Sequence, residues 1–152
     1  MRFRNVLTRA ASRVRRRRRV GREGRGAADV RIGYAPDQDG QPDPGEVVWT
    51  WVPYEDDPRH GKDRPVVVIG SAGDRLAVVP LSSRGPDGRP EPAAWVSVGS
   101  GRWDGEGRTS YANVDRVLQV TKDEIRREGA TLDRARFDAV VAGVRQRHTD
   151  IG

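Results

Sequence analysis

Three short apolar runs, Val47–Val52, Pro65–Ile69 and Leu76–Leu81, dominate the hydrophobic pattern of the chain. Each is long enough for a strand and too short for a typical helix, and polar stretches bearing Gly or Pro separate them. Trp95–Val98 predicts a fourth strand. Ser110–Val120 predicts a fifth, with Val114, Leu118 and Val120 on one face and Tyr111, Asn113 and Asp115 on the other. Upstream, Val30, Ile32 and Tyr34 alternate, as in a short strand or an extended arm docking on the barrel.

Downstream the period changes. Thr121, Lys122, Asp123 and Glu124 have the spacing of a capping box, which predicts a short helix closed by Gly129. A second helix follows an N-cap at Asp133, with Phe137, Val140, Val141 and Val144 as its apolar stripe. Short strands joined by short loops predict a mainly β fold, a small antiparallel barrel with C-terminal helices, and not a βαβ sheet.

Charge divides the chain into unequal parts. Residues 1–25 hold eleven arginines and one acid, Glu23, so the net charge of +6 reports a basic extension and the remainder is acidic. Within that extension Phe3, Val6, Leu7, Ala10 and Val14 recur at helical spacing. A basic amphipathic helix could meet an anionic surface or a nucleic acid through Arg13, Arg15, Arg16, Arg17, Arg18 and Arg19. A solvated arm fits the same residues. Residues 26–44 are linker-like, with Pro42 and Pro44 excluding helix before the first firm strand, and residues 45–148 form the predicted barrel with its C-terminal helix.

Composition excludes several chemistries. There is no cysteine, hence no disulfide and no thiolate metal site, and His60 and His148 are the only imidazoles. No metal and no cofactor is expected. No run approaches the roughly 18 apolar residues of a membrane span, and the basic start lacks the apolar core of a secretory signal, so a cytoplasmic location is expected. A phosphate-binding glycine loop is absent, and nothing around Ser82 resembles a nucleophile elbow that would pair it with His60.

What remains is a cluster. Arg64 stands immediately before Pro65 at the end of the charged connection Pro53–Arg64, and Ser82, Ser83 and Arg84 stand at the exit of the third run. If the fold brings these together with Asp115, the set is a guanidinium, a hydroxyl and a carboxylate. It could stabilise charge developing on a phosphate without a metal. The same residues also fit a surface ion pair of Arg64 with Asp63, Asp56 or Asp57.

The pieces GEVVW, HGKDRPVVVI, LAVVPLSS and NVDRVLQV, in that order between Gly45 and Val144, resemble the MazF/PemK family of toxin endoribonucleases. The stretches WVSVGSGRWDGEGRTS and REGATLDRARFDAV look like an actinobacterial branch of it. The resemblance implies an SH3-like barrel, usually a homodimer, neutralised by a cognate antitoxin. It also implies metal-independent cleavage of single-stranded RNA at short sequence motifs, the substrate's 2′-hydroxyl attacking the phosphate to leave a 2′,3′-cyclic phosphate and a 5′-hydroxyl.

Carried over by motif, Arg64, Ser82 and Asp115 are the expected catalytic residues. Arg59, His60, Lys62, Ser83, Arg84 and Asn113 are the expected substrate contacts. Asn113 stands where some members have a catalytic arginine, and His60 precedes Arg64 at a shorter spacing than in members with a loop histidine. These departures keep open a non-cleaving binding module on the same barrel, one that would hold a protein partner or DNA gyrase as the related CcdB toxins do.

Overall fold

The computed structural model describes residues 30–36 and 41–151, so the Arg-rich extension, with the amphipathic helix expected there, and much of the linker lie outside the described residues. In chain order the strands are β1 (Arg31–Ile32), β2 (Glu46–Pro53), β3 (Gly61–Ala72), β4 (Arg75–Ser82), β5 (Trp95–Gly99), β6 (Ser110–Asn113), β7 (Leu118–Val120) and β8 (Ile125–Thr131), followed by helix α1 (Arg134–Arg147). All pairings are antiparallel, and the hydrogen-bonded path runs β5-β6-β4-β3-β2-β8. β1 continues the line of β2 along one edge of β3, and β7 continues the line of β6 along the outer edge of β4.

The valine runs are continuous because both faces of the central strands are covered. Val67, Ile69, Ala77, Val79 and Leu81 join one cluster with Phe137, Val140, Val141 and Val144 of α1. Their neighbours Val66, Val68, Leu76 and Val78 join a second cluster with Val48, Val52, Leu118 and Val120. The period of two assigns each side chain to its face, and every large apolar side chain so buried contributes about 1.5–3 kcal/mol. α1 docks closely because Gly143 has no side chain: a Cβ there would stand 3.0 Å from Val114 Cγ1 and 3.2 Å from Val96 Cγ2.

Within β3 the register shifts by one residue between Val68 and Gly70. This bulge lies under β1, whose Arg31 carbonyl oxygen would be 2.0 Å from a Cβ at position 70, so only glycine fits. The expected arm is also present: β1 pairs with β3, and the Tyr34 hydroxyl donates to the Leu132 carbonyl at 2.8 Å while its ring packs on Phe137.

Three expectations are corrected. The box at Thr121 forms, with the Thr121 N–H donating to Glu124 Oε1 at 2.7 Å, but it opens only the 3-10 turn Lys122–Glu124. The chain then extends as β8, because the open edge of β2 offers it a ladder of backbone partners from Glu46 to Thr50. The described residues therefore hold one C-terminal α-helix, not two. The single strand expected over Ser110–Val120 is broken into β6 and β7, since Asn113 Oδ1 accepts from the Asp115 N–H at 3.1 Å and the Asn113 carbonyl from the Arg116 N–H at 3.1 Å. Val114 thereby enters the helix-side cluster while Leu118 and Val120 enter the other. The charged connection is also shorter than expected, since β3 begins at Gly61 and Arg64 lies within it.

Candidate functional site

On the face that carries Val66 and Val78, the apolar residues run out at one end of the sheet, and a polar groove of about 830 Å³ opens there. Arg64, two residues before Val66, points to that face. The register Val66 to Pro80, continued by two residues, sets Arg64 across from Ser82. Ser82 in turn pairs with Tyr111 of β6, and Asn113 pairs with Trp95 of β5. Arg64, Ser82, Asn113 and Trp95 all line the groove.

Arg64 is half-buried, and its guanidinium makes no hydrogen bond or ion pair among the described residues. The expected partners are engaged elsewhere or do not reach it: Asp57 meets Arg59 and His60, and Asp63 lies 3.9 Å from Arg126. Burial makes Arg64 less basic than usual, the positive charges of Arg116 and Arg89 act the same way, and Tyr54 opposes them. A guanidinium stays charged at any ordinary pH, so the site holds a desolvated cation with further cations beside it.

Ser82 lies in a small network. Its Oγ accepts from the Arg84 backbone N–H at 3.1 Å and from Arg89 Nη2 at 3.3 Å. Arg89 also donates from Nε to the Gly85 carbonyl and from Nη2 to the Arg84 carbonyl, each at 3.0 Å, and its guanidinium carbon sits 3.6 Å from the centre of the Trp95 ring. Burial first, then Arg84, makes Arg89 less basic than usual. Nothing in the turn-rich stretch from Gly85 to Pro92 marks Arg89 in the sequence. Its place emerges only when that loop folds back on β5.

Asn113 is buried against the groove with its carboxamide oxygen turned to the Asp115 N–H. Asp115 itself does not line the groove. The bend after β6 turns it outward, and Arg147 of α1 holds it. His148 Nε2 lies 3.0 Å from the Val114 carbonyl, a second tie between the end of α1 and the same corner. Buried Arg116, one residue on, donates from Nη2 to the Pro53 carbonyl at 3.0 Å and lines the groove.

Of the other expected contacts, Lys62, Ser83 and Arg84 line the groove, whereas Arg59 and His60 do not. The hairpin between β2 and β3 directs those two to Asp57, at 3.3 Å and 2.7 Å. The His60 hydrogen bond and, after it, Arg59 hold the Asp57 carboxyl below its usual value. The groove's other basic residues are Lys62, Arg84, Arg89, Arg108 and Arg116, against the acids Glu55, Asp56, Asp63, Asp104 and Glu106. Arg108 pairs with Asp104 and Glu106, which confines that part of the negative charge to the loop after β5. Trp103 anchors this loop in the core, its indole N–H donating to Ser110 Oγ at 3.0 Å.

The fold is shared with solved toxins. MazF from Deinococcus radiodurans matches with a TM-score of 0.54 at 19% identity, over 71% of this chain and 96% of that one. An endoribonuclease in complex with its cognate antitoxin, from a mycobacterial species, matches with a TM-score of 0.52 at 17% identity, over 70% and 93%. A MazE–MazF complex from Deinococcus radiodurans gives 0.51 at 18% identity, over 71% and 95%. At these identities the likeness establishes the fold. A search of curated protein sequences gives no match. The family model for PemK-like, MazF-like toxins of type II toxin–antitoxin systems matches residues 43–147, and the chain belongs to that family.

Proposed function

We propose that the groove binds single-stranded RNA and cleaves it at a short sequence motif, without a metal. The observation that carries this is Arg64, a half-buried cation with no anionic partner among the described residues, across the strand register from a serine hydroxyl. A phosphodiester supplies the missing anion, and the guanidinium fork matches two of its oxygens.

In the reaction the 2′-oxygen bonds to phosphorus, the bond from phosphorus to the 5′-oxygen breaks, the 2′-hydroxyl proton passes to solvent and the 5′-oxygen takes one up. Arg64 and Ser82 stabilise the charge that builds on the phosphoryl oxygens. Lys62, Ser83 and Arg84 follow the backbone, and Trp49 and Trp95 on the groove wall offer faces on which bases stack. Arg59 and His60 meet the strand outside the groove, and the Arg-rich extension adds long-range attraction. Asp115 enters as support for the Asn113 corner.

The toxin works as a cytoplasmic homodimer held silent by an antitoxin; the mycobacterial endoribonuclease, for its part, stands in complex with its cognate antitoxin. The stretches WVSVGSGRWDGEGRTS and REGATLDRARFDAV support placing the chain in an actinobacterial branch of the family.

Digestion of a mixed RNA pool by the purified protein, followed by end-group analysis, tests the proposal. Cyclic phosphate and 5′-hydroxyl ends are expected, unchanged by chelator and abolished by Arg64→Ala. Uncut RNA, or loss of cleavage on chelation, rejects it. A second function is favoured by Asn113, a neutral carboxamide already committed to the backbone of Asp115. In it the groove holds a protein partner or DNA gyrase and cuts nothing, and growth arrest with intact RNA would identify it.

A further inference from the structure

We infer that Arg89 is a positioning residue that fixes the Ser82 hydroxyl as a hydrogen-bond donor to the substrate phosphate; the inference rests on the proposed RNA-cleaving function. A serine hydroxyl has one proton and two lone pairs. Both acceptor directions of Ser82 Oγ are occupied, one by the Arg84 backbone N–H at 3.1 Å and the other by Arg89 Nη2 at 3.3 Å. The remaining direction is the O–H itself, and Ser82 lines the groove on the face of Arg64. A hydroxyl so placed gives its proton to an anion. It does not act as a base, since its lone pairs are taken.

Arg89 is held for this task. Trp95 supports its guanidinium from below at 3.6 Å, and the carbonyls of Gly85 and Arg84 accept from Nε and Nη2. The two N–H groups of Nη2 are thus shared between the Arg84 carbonyl and Ser82. This geometry needs the planar fork of arginine. Lysine has the charge but cannot meet three acceptors in one plane. A cation donating to Ser82 Oγ also polarises the O–H, which strengthens its bond to a phosphate oxygen.

A double-mutant cycle on the full chain tests this. Ser82→Ala should lower kcat/KM for a short RNA by about 10- to 100-fold, the range for a hydrogen bond to a charged group. Arg89→Lys should lower it by a similar factor, mainly through kcat, while near-ultraviolet circular dichroism and the melting temperature establish that the variant folds. The double variant Ser82→Ala/Arg89→Lys should lose little beyond Ser82→Ala alone, because Arg89 acts through that hydroxyl. Losses that multiply would overturn the inference and make Arg89 an independent phosphate contact. So would an Arg89→Lys enzyme of wild-type activity. If the wild-type protein neither cleaves RNA nor binds a 2′-O-methyl oligonucleotide, the RNA function itself falls and this inference with it. That result is distinct from multiplying losses in an active enzyme.

Discussion

Arg147 holds Asp115 with both arms of its guanidinium, Nε to Oδ1 at 2.5 Å and Nη2 to Oδ2 at 3.2 Å, across 32 residues of sequence. The pair fastens the end of α1 to the corner between β6 and β7, and Nη2 also reaches Glu91 ahead of β5. Those two carboxylates make Arg147 more basic than usual.

Asp115 therefore has a structural employment that its motif position conceals. Asp115→Asn and Arg147→Ala should each lower the melting temperature by a few degrees, and the double variant by little more than either. Cleavage by Asp115→Asn should stay within a few-fold of wild type. A loss of roughly 100-fold or more, the scale of a removed acid–base group, would show that the carboxylate acts on the substrate.

Arg64→Met should abolish cleavage yet leave the protein at least as stable as the wild type. No partner among the described residues is lost, and a desolvated cation beside Arg116 and Arg89 is removed. Sulfate should raise the melting temperature of the wild type more than that of Arg64→Met, because an anion bound at the cation stabilises the folded state alone. Calorimetry at constant ionic strength separates this from general screening.

Asp104 should make the loop after β5 sensitive to acid. The Glu106 backbone N–H, and then Arg108, hold its carboxyl below the ordinary value of 3.8. Stability from a lowered carboxyl is complete above the unfolded value and is lost as pH falls through the folded one. Asp104→Asn should therefore melt below the wild type at pH 7, and the difference should close as pH falls below about 3.8. A gap that persisted at pH 2 would assign Asp104 a role independent of its charge.

Gly143→Val should be destabilising by about 1–3 kcal/mol, since the new side chain meets Val114 and Val96 at the closest approach of α1 to the sheet. Because Val114 adjoins Asn113, cleavage should fall in the folded fraction as well. Denaturant titration gives the first quantity, and activity normalised to folded protein gives the second.

The sequence shows β2, β3 and β4 plainly, because Val66 to Ile69 and their neighbours are apolar whichever face they take. It misleads where a local signal competes with a distant partner. Thr121 and Glu124 do cap each other, yet Ile125 onward pairs with β2, and the edge of a sheet outweighs one turn of helix. Strand parity sets Asp115 beside Asn113, and parity does not survive the turn that Asn113 itself makes. Arg64 and Ser82, which line one groove, could be singled out from their motifs. The place of Arg89 beside them could not, since it depends on a loop closing over Trp95.

The bulge at Gly70 decides between two neighbouring serines. From the turn at Gly73 the hairpin starts in the register Ala72 to Arg75, and that register continued without interruption would set Arg64 opposite Ser83. The one extra residue in β3 changes the count, so that Ser82 faces the cation and Leu81 takes the helix side. Which hydroxyl stands opposite Arg64 is thus decided about six residues away, under β1, at a glycine that does not line the groove. A change that straightened β3 there would leave Arg64 and both serines in the chain and set Ser83, not Ser82, opposite the cation.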